Sequence, residues 1–323
     1  MSRTLCSKET ILHACVPVSA VDVPVACQRG RLAQSSGCER HDSRLYRDKG
    51  KDTMGTSETD PDAAPSEPSA AIDAEAVQVA RDAADTSGEP SGPKKIAVVV
   101  AHPDDAEFIC AGTIARWVDE GHEVVYVLLT SGDKGSADPE MTPQKLAATR
   151  EAEQREAARI LGARDVIFMR YPDGELEPNL ELRREIVRII RRLKPDVVVC
   201  QDPTVRWVDT QYINHPDHRA AGEATLAAVF PAARDRMNFP ELLAEGLEPH
   251  KVREIYLAGA LTPDVAIDVT AYMERKLESL RAHVSQIGDW DPEPMVREWA
   301  KETAERHPGS GDYVESFKYF KLD

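Results

Sequence analysis

Residues 96–107 read IAVVVAHPDDAE, six apolar residues followed by an imidazole, a proline and three acids. The apolar run has the length and β-branched content of a strand buried on both faces. Ala106 to Glu120 continues with helical character and stops at Gly121, a residue suited to the left-handed turn after a helix. The strand therefore feeds a helix through the turn His102-Pro103-Asp104-Asp105.

The same alternation repeats downstream. Strands are predicted at 123–130 (EVVYVLLT), 165–171 (DVIFMRY), 196–202 (DVVVCQD), 254–260 (EIYLAGA) and 265–270 (VAIDVT). Helices are predicted at Pro143–Leu161, Leu180–Leu193, His218–Phe230 and Ala271–Gln286. Strands separated by helices of this length form βαβ units. The fold class is α/β, a Rossmann-like, mainly parallel sheet with helices on both faces. In such a sheet ligands bind beyond the carboxyl ends of the strands. No G-x-G-x-x-G follows the first strand, which argues against a dinucleotide-binding dehydrogenase.

Two polar clusters sit at that end. His102, Asp104, Asp105 and Glu107 follow the first strand, and Asn214-His215-Pro216-Asp217-His218-Arg219 follows the fourth. Either alone reads as a capping turn. Together they bring imidazoles and carboxylates to one edge. Two imidazoles and one carboxylate suit a catalytic zinc, which keeps a further position open for the water it activates. His102, Asp105 and His218 supply such a set. Asp104 then stands as general base and His215 as the acid that protonates the leaving amine, with Asp217 expected to hydrogen-bond His215. Spacing alone does not separate Asp104 from Asp105.

AHPDDAEF (101–108) with the following Gly112-Thr113-Ile114, taken with HPDHR (215–219), resembles the PIG-L/LmbE-like N-acetylglucosaminyl deacetylase family over residues 94–323. The resemblance implies a Rossmann-like fold, one divalent metal, usually Zn2+, and removal of an N-acetyl group from GlcNAc-bearing molecules such as GlcNAc-inositol, GlcNAc-malate or chitobiose. It implies metal ligands His102, Asp105 and His218, the base Asp104 and the acid pair His215 and Asp217. It also implies substrate contacts at Arg150 and Asp173. Two positions depart from the family pattern. Ile213 stands where some members carry a tyrosine that assists the oxyanion, and Ala106 stands where many carry a glutamate.

The remaining sequence sets limits. The net charge is −16, from 56 acidic and 40 basic residues, which disfavours nucleic acid or an anionic membrane surface as partner. No apolar stretch is long enough for a spanning helix. A small sugar conjugate in the cytoplasm is the expected partner, and a homo-oligomer is compatible with this composition. Cys6, Cys15, Cys27 and Cys38 form no C-x-x-C pair, and Cys110 and Cys200 lie in apolar stretches as expected of buried thiols. Residues 1–93 are poor in apolar material and are expected to be disordered, with Met54 a candidate start and 1–53 an extension upstream of it. Two other function classes compete: a metal-dependent phosphoesterase, which would need ligands for a second metal, and a non-catalytic sugar-binding relative, which would need neither Asp104 nor His215.

Overall fold

The structure, a computed structural model, describes residues 92–210 and 212–323. The expected disordered segment, with the candidate start at Met54, lies outside the described residues apart from its last two positions.

The elements run β1 (Lys95–Val100), α1 (Asp105–Ile109), α2 (Ala111–Asp119), β2 (Glu123–Thr130), α3 (Pro143–Leu161), β3 (Asp165–Tyr171), α4 (Leu180–Leu193) and β4 (Val197–Gln201). A short hairpin, β5 (Trp207–Val208) and β6 (Tyr212–Ile213), precedes α5 (Pro216–Ala227) and α6 (Glu241–Ala244). Then come β7 (Glu254–Ala258), β8 (Val265–Asp268), α7 (Met273–Arg281), α8 (Val284–Ile287), α9 (Glu293–Arg306) and β9 (Val314–Lys321).

The main sheet has the order β3-β2-β1-β4-β7-β9-β8. β3, β2, β1, β4 and β7 pair in parallel, and β9 pairs antiparallel with both β7 and β8. β1 has β2 on one side and β4 on the other, in the registers Val99↔Val127 and Val99↔Cys200. The chain winds outward from β1 in one direction and then returns to wind in the other. A crevice therefore opens between the carboxyl ends of β1 and β4.

β1, β2 and β4 are buried almost throughout, as continuous apolar runs in a doubly covered sheet must be. Ile186 and Ile190 of α4 pack on one face with Ala221 and Ala224 of α5; Ile114 of α2 and Leu161 of α3 pack on the other. Phe317 of β9 joins the second face, so the antiparallel strand shares the main core.

Two predicted helices are each broken. The helix after β1 divides at Cys110, whose φ of −151° and ψ of 13° leave the helical region. The predicted helix at 271–286 divides at Ala282 and His283, which frees the short α8 to turn toward the sheet edge. Among the described residues no helix is long and apolar enough to cross a membrane.

Candidate active site

The crevice holds the turn after β1 and the start of α5. Val100 ends β1 in the core, and Gln201 Oε1 at the end of β4 accepts the N–H of Ala101 (3.2 Å), tying the two strand ends together. Thr130 Oγ1 donates to the carbonyl of Ala101 (3.0 Å) from the other side. His102 emerges from this fixed point.

α5 begins at Pro216, whose locked φ suits the first helical turn. Gly222 lets this helix approach the end of β4, since a Cβ there would stand 2.2 Å from the carbonyl oxygen of Gln201. That approach delivers His215 and His218 to the crevice. Ring centroids of His102, His215 and His218 lie 4.7 to 5.4 Å apart.

Each imidazole shows which nitrogen is committed. Asn214 Nδ2 donates to the carbonyl of Val205 (2.7 Å), so its Oδ1 faces His218 Nδ1 at 3.0 Å and accepts that ring's proton. His218 Nε2 then carries a lone pair. It is buried, has no hydrogen-bond partner among the described residues, and stands 3.0 Å from Asp105 Oδ1. His102 Nε2 lies 3.1 Å from Asp173 Oδ1 and 3.3 Å from Asp217 Oδ2, while its Nδ1 lies 3.5 Å from Asp105 Oδ2. Two ring nitrogens thus face one carboxylate, while carboxylates or an amide oxygen engage their other nitrogens. A buried lone pair set against a carboxylate is unfavourable unless a cation lies between them. The set fits a divalent metal held by His102, Asp105 and His218, with Asp217 and Asn214 orienting the rings from behind.

Two trios of the described residues, neither of which includes Asp105, have donor atoms all within 4.8 Å of one another: His102 with His215 and His218, and His102 with Asp173 and Asp217. In the second, the Asp217 carboxylate already accepts the backbone N–H groups of Gly174 (2.7 Å) and Leu176 (3.3 Å). A carboxylate so occupied is better suited to orienting His102 than to ligation.

The environment separates the two aspartates that spacing leaves equivalent. Burial would raise the Asp105 carboxyl, but the two imidazoles beside it, His218 first and then His102, hold it well below the usual carboxylate range. Asp104 is pushed up to about 7, first by burial and then by the charge of Asp105. For His102, burial alone would lower proton affinity, but hydrogen bonds to Asp105, Asp173 and Asp217 raise it well above the usual histidine value. The surroundings that favour a proton on this ring favour a cation equally.

His215 and Asp217 meet differently from the sequence expectation. His215 caps α5, its Nδ1 accepting the backbone N–H of Asp217 at 3.2 Å, while the Asp217 carboxylate turns to His102 and the 174–176 turn. The reason is local: a residue at the helix N-cap is the one placed to accept the free N–H groups of the first turn. With Nδ1 accepting, Nε2 bears the proton.

A cavity of about 230 Å³ opens over this cluster. His102, Asp104, Asp105, Asp173 and His215 line its polar side, and Phe108, Ile287 and Trp290 its apolar side. Arg150 reaches the rim, donating through Nη1 to the carbonyls of Gly132 (2.7 Å) and Lys134 (2.9 Å). Gly132 has φ 63°, and a Cβ there would stand 2.8 Å from Arg150 Nη1. Asp133 accepts the N–H of Asp173 (2.8 Å), and Lys134 Nζ donates to Glu175 (2.6 Å), so the 131–139 loop is bound to the turn carrying Asp173. Tyr212 turns inward and donates to Asn214 Oδ1 (3.2 Å), whereas Ile213 is 82% exposed.

Sequence reasoning did not find a polar layer behind Asp104. Glu107 is fully buried and accepts Tyr126 Oη (3.1 Å), Gln154 Nε2 (3.0 Å) and His283 Nε2 (3.2 Å). Gln154 offered a signal: it lies on the buried stripe of α3 with Leu146, Ala157, Ala158 and Leu161, where a glutamine needs a polar partner. Gln286 offered none.

Comparison with known proteins adds four findings. The family described as GlcNAc-PI de-N-acetylase matches residues 97–229. A diacetylchitobiose deacetylase of Thermococcus kodakarensis is 36% identical over 204 residues, 62% of this chain and 74% of its own. A probable N-acetyl-alpha-D-glucosaminyl L-malate deacetylase 2 of Bacillus anthracis is 34% identical over 199 residues, 60% of this chain and 82% of its own. The solved structure of an N,N'-diacetylchitobiose deacetylase from Pyrococcus horikoshii with an inhibitor superposes with a TM-score of 0.67 at 31% identity, covering 76% of this chain and 91% of that one.

Proposed function

The chain belongs to the PIG-L family of GlcNAc-PI de-N-acetylases, and on that premise we propose that residues 94–323 form a zinc-dependent domain that hydrolyses the N-acetyl amide of an N-acetylglucosamine conjugate. The observation that carries this reading is the pair of ring nitrogens, His102 Nδ1 and His218 Nε2, set against Asp105 beneath a cavity that also presents Asp104.

His102, Asp105 and His218 would hold the ion, which when bound would supply Lewis acidity toward the acyl oxygen and acidify the attacking water. Asp104 takes the proton of that water, a task suited to a carboxyl raised to about 7. As the water oxygen bonds to the acyl carbon, His215 donates a hydrogen bond from its Nε2–H to the developing oxyanion, and Asp104 passes the proton it took to the departing nitrogen as the C–N bond breaks. Acetate and a free amine result. Asp217 fixes His215 through its backbone N–H and His102 through its carboxylate. Asp173 and Arg150 bind sugar hydroxyls at the rim, and Phe108, Ile287 and Trp290 receive the apolar face of the ring. Cys110 and Cys200, both free and buried, suit the reducing cytoplasm.

The test is metal content together with free amine released from a panel of N-acetylglucosamine conjugates, with Asp104→Asn as control. One zinc per chain and amine release at least about 100-fold lower in the variant support the proposal. Two metals per chain with phosphate release instead would replace it by a phosphoesterase.

A further inference from the structure

Asp104 is an unusual residue to find where it stands. Its φ is 87°, in the left-handed region, uncommon outside glycine though aspartate adopts it more readily than most. Two glutamines hold it there. Gln154 Oε1 accepts the Asp104 backbone N–H at 3.1 Å. Gln286 Nε2 donates to Asp104 Oδ2 and to the carbonyl of Pro103 (2.9 Å). Gln286 lies on the wall of the cavity beside Asp104.

Gln286 is itself held. It sits in α8, whose Ser285 N–H donates to Glu153 (2.7 Å), and His283 just before α8 is anchored on Glu107. Ile287 and Trp290 follow into the cavity wall. The Gln286 carbonyl oxygen Oε1 is buried without a hydrogen-bond partner among the described residues. Of the two ends of this buried amide, the donor is the one that the described residues engage. That donor meets one oxygen of Asp104 and leaves the other, Oδ1, to the cavity.

We infer that Gln286 is a positioning residue for Asp104: its amide fixes the carboxylate so that the free oxygen faces the water of the proposed de-N-acetylation. The inference rests on that reading and adds a residue far away in the chain, carried by α8. The Gln286 amide nitrogen is engaged by Asp104 and the carbonyl of Pro103, so it acts on the reaction through Asp104.

The experiment is a double-mutant cycle on the full chain, reading amine release from N,N'-diacetylchitobiose or another conjugate that the wild type hydrolyses. Gln286→Met keeps the length of the side chain and removes the donor. Its kcat is expected to fall about 10- to 100-fold, the scale of a misplaced catalytic group, with KM and zinc content nearly unchanged. In the Asp104→Asn background the same change is expected to cost nothing further. Gln286→Glu, which sets an acceptor against the carboxylate, is expected to fall below Gln286→Met. An unchanged kcat, or an equal loss in both backgrounds, would overturn the inference, and that ratio decides even for a variant that melts earlier. A wild type that releases no amine from any conjugate overturns the de-N-acetylase reading instead, and shows itself before any variant is made.

Discussion

Asp104 and Asp105 share a side chain and a peptide bond, yet their surroundings drive them apart. Asp105 faces two imidazoles and stays ionised; Asp104 faces Asp105 across a partly buried turn and is raised to about 7. The sign for stability follows from the raised value. The folded state binds the Asp104 proton more tightly than the unfolded chain, so stability declines as pH rises from the usual carboxylate range through about 7. Asp104→Asn removes that penalty. In chelator-treated protein at pH 8 it is expected to gain on the order of 1 to 2 kcal/mol, seen as a higher melting temperature. The same variant should lose at least about 100-fold in amine release, the contribution of a general base. A second prediction concerns His102. A proton and a metal compete for Nδ1, and its proton affinity is raised, so metal affinity should strengthen with pH through neutrality. The expected slope is about tenfold per pH unit while the ring is protonated, measurable by calorimetric zinc titration across buffers. The residues of the two polar turns were legible because chemistry-bearing side chains stood at the carboxyl ends of strands. Which aspartate does what was not, because that difference arises from neighbours more than 100 positions away, His218 above all.

At the scale of elements, the site depends on how closely α5 rides on β4. Gly222 permits the contact with Gln201, and His218 lies one turn earlier on the same helix. Gly222→Ala is expected to push the helix outward, destabilising by about 1 to 3 kcal/mol as overpacking does. Zinc affinity should fall with it, since His218 moves relative to Asp105. Denaturant melts and zinc titration check both, and a variant with native affinity would contradict the account. The main strands and α3 and α4 were readable from apolar periodicity and stop signals. The break at Cys110, the separation of α8 and the hairpin β5–β6 were not. Each answers to tertiary demand: α8 leaves the helical line of α7 so that His283 and Gln286 can reach Glu107 and Asp104.

Over the whole molecule, one buried carboxylate on β9 ties the start of α2 to α7. Glu315 on β9 accepts the N–H groups of Gly112 (3.0 Å) and Thr113 (2.7 Å) at the start of α2 and pairs with Lys276 of α7 at 2.6 Å. Lys276 and Glu315 are both buried. Glu315→Ala strands a buried ammonium and two helix N–H groups, so a loss of about 3 to 5 kcal/mol is expected by urea unfolding. Lys276→Met in the same background should recover part of it. That architecture was only partly visible in the sequence: VESFKYFK at 314–321 carries aromatic and β-branched residues, but nothing local says that it pairs antiparallel inside a parallel sheet.

The position of β9 also imposes a timetable. Among the described residues it comes last of the strands, yet it lies between β7 and β8, and β8 pairs with β9 alone. While the ribosome is still adding residues before 314, β7 has an open edge and β8 has no partner. The nascent protein must hold the whole crevice in an unfinished sheet until those residues emerge. Synthesis that stalls late would release a chain with every proposed metal ligand already made and an adhesive edge exposed.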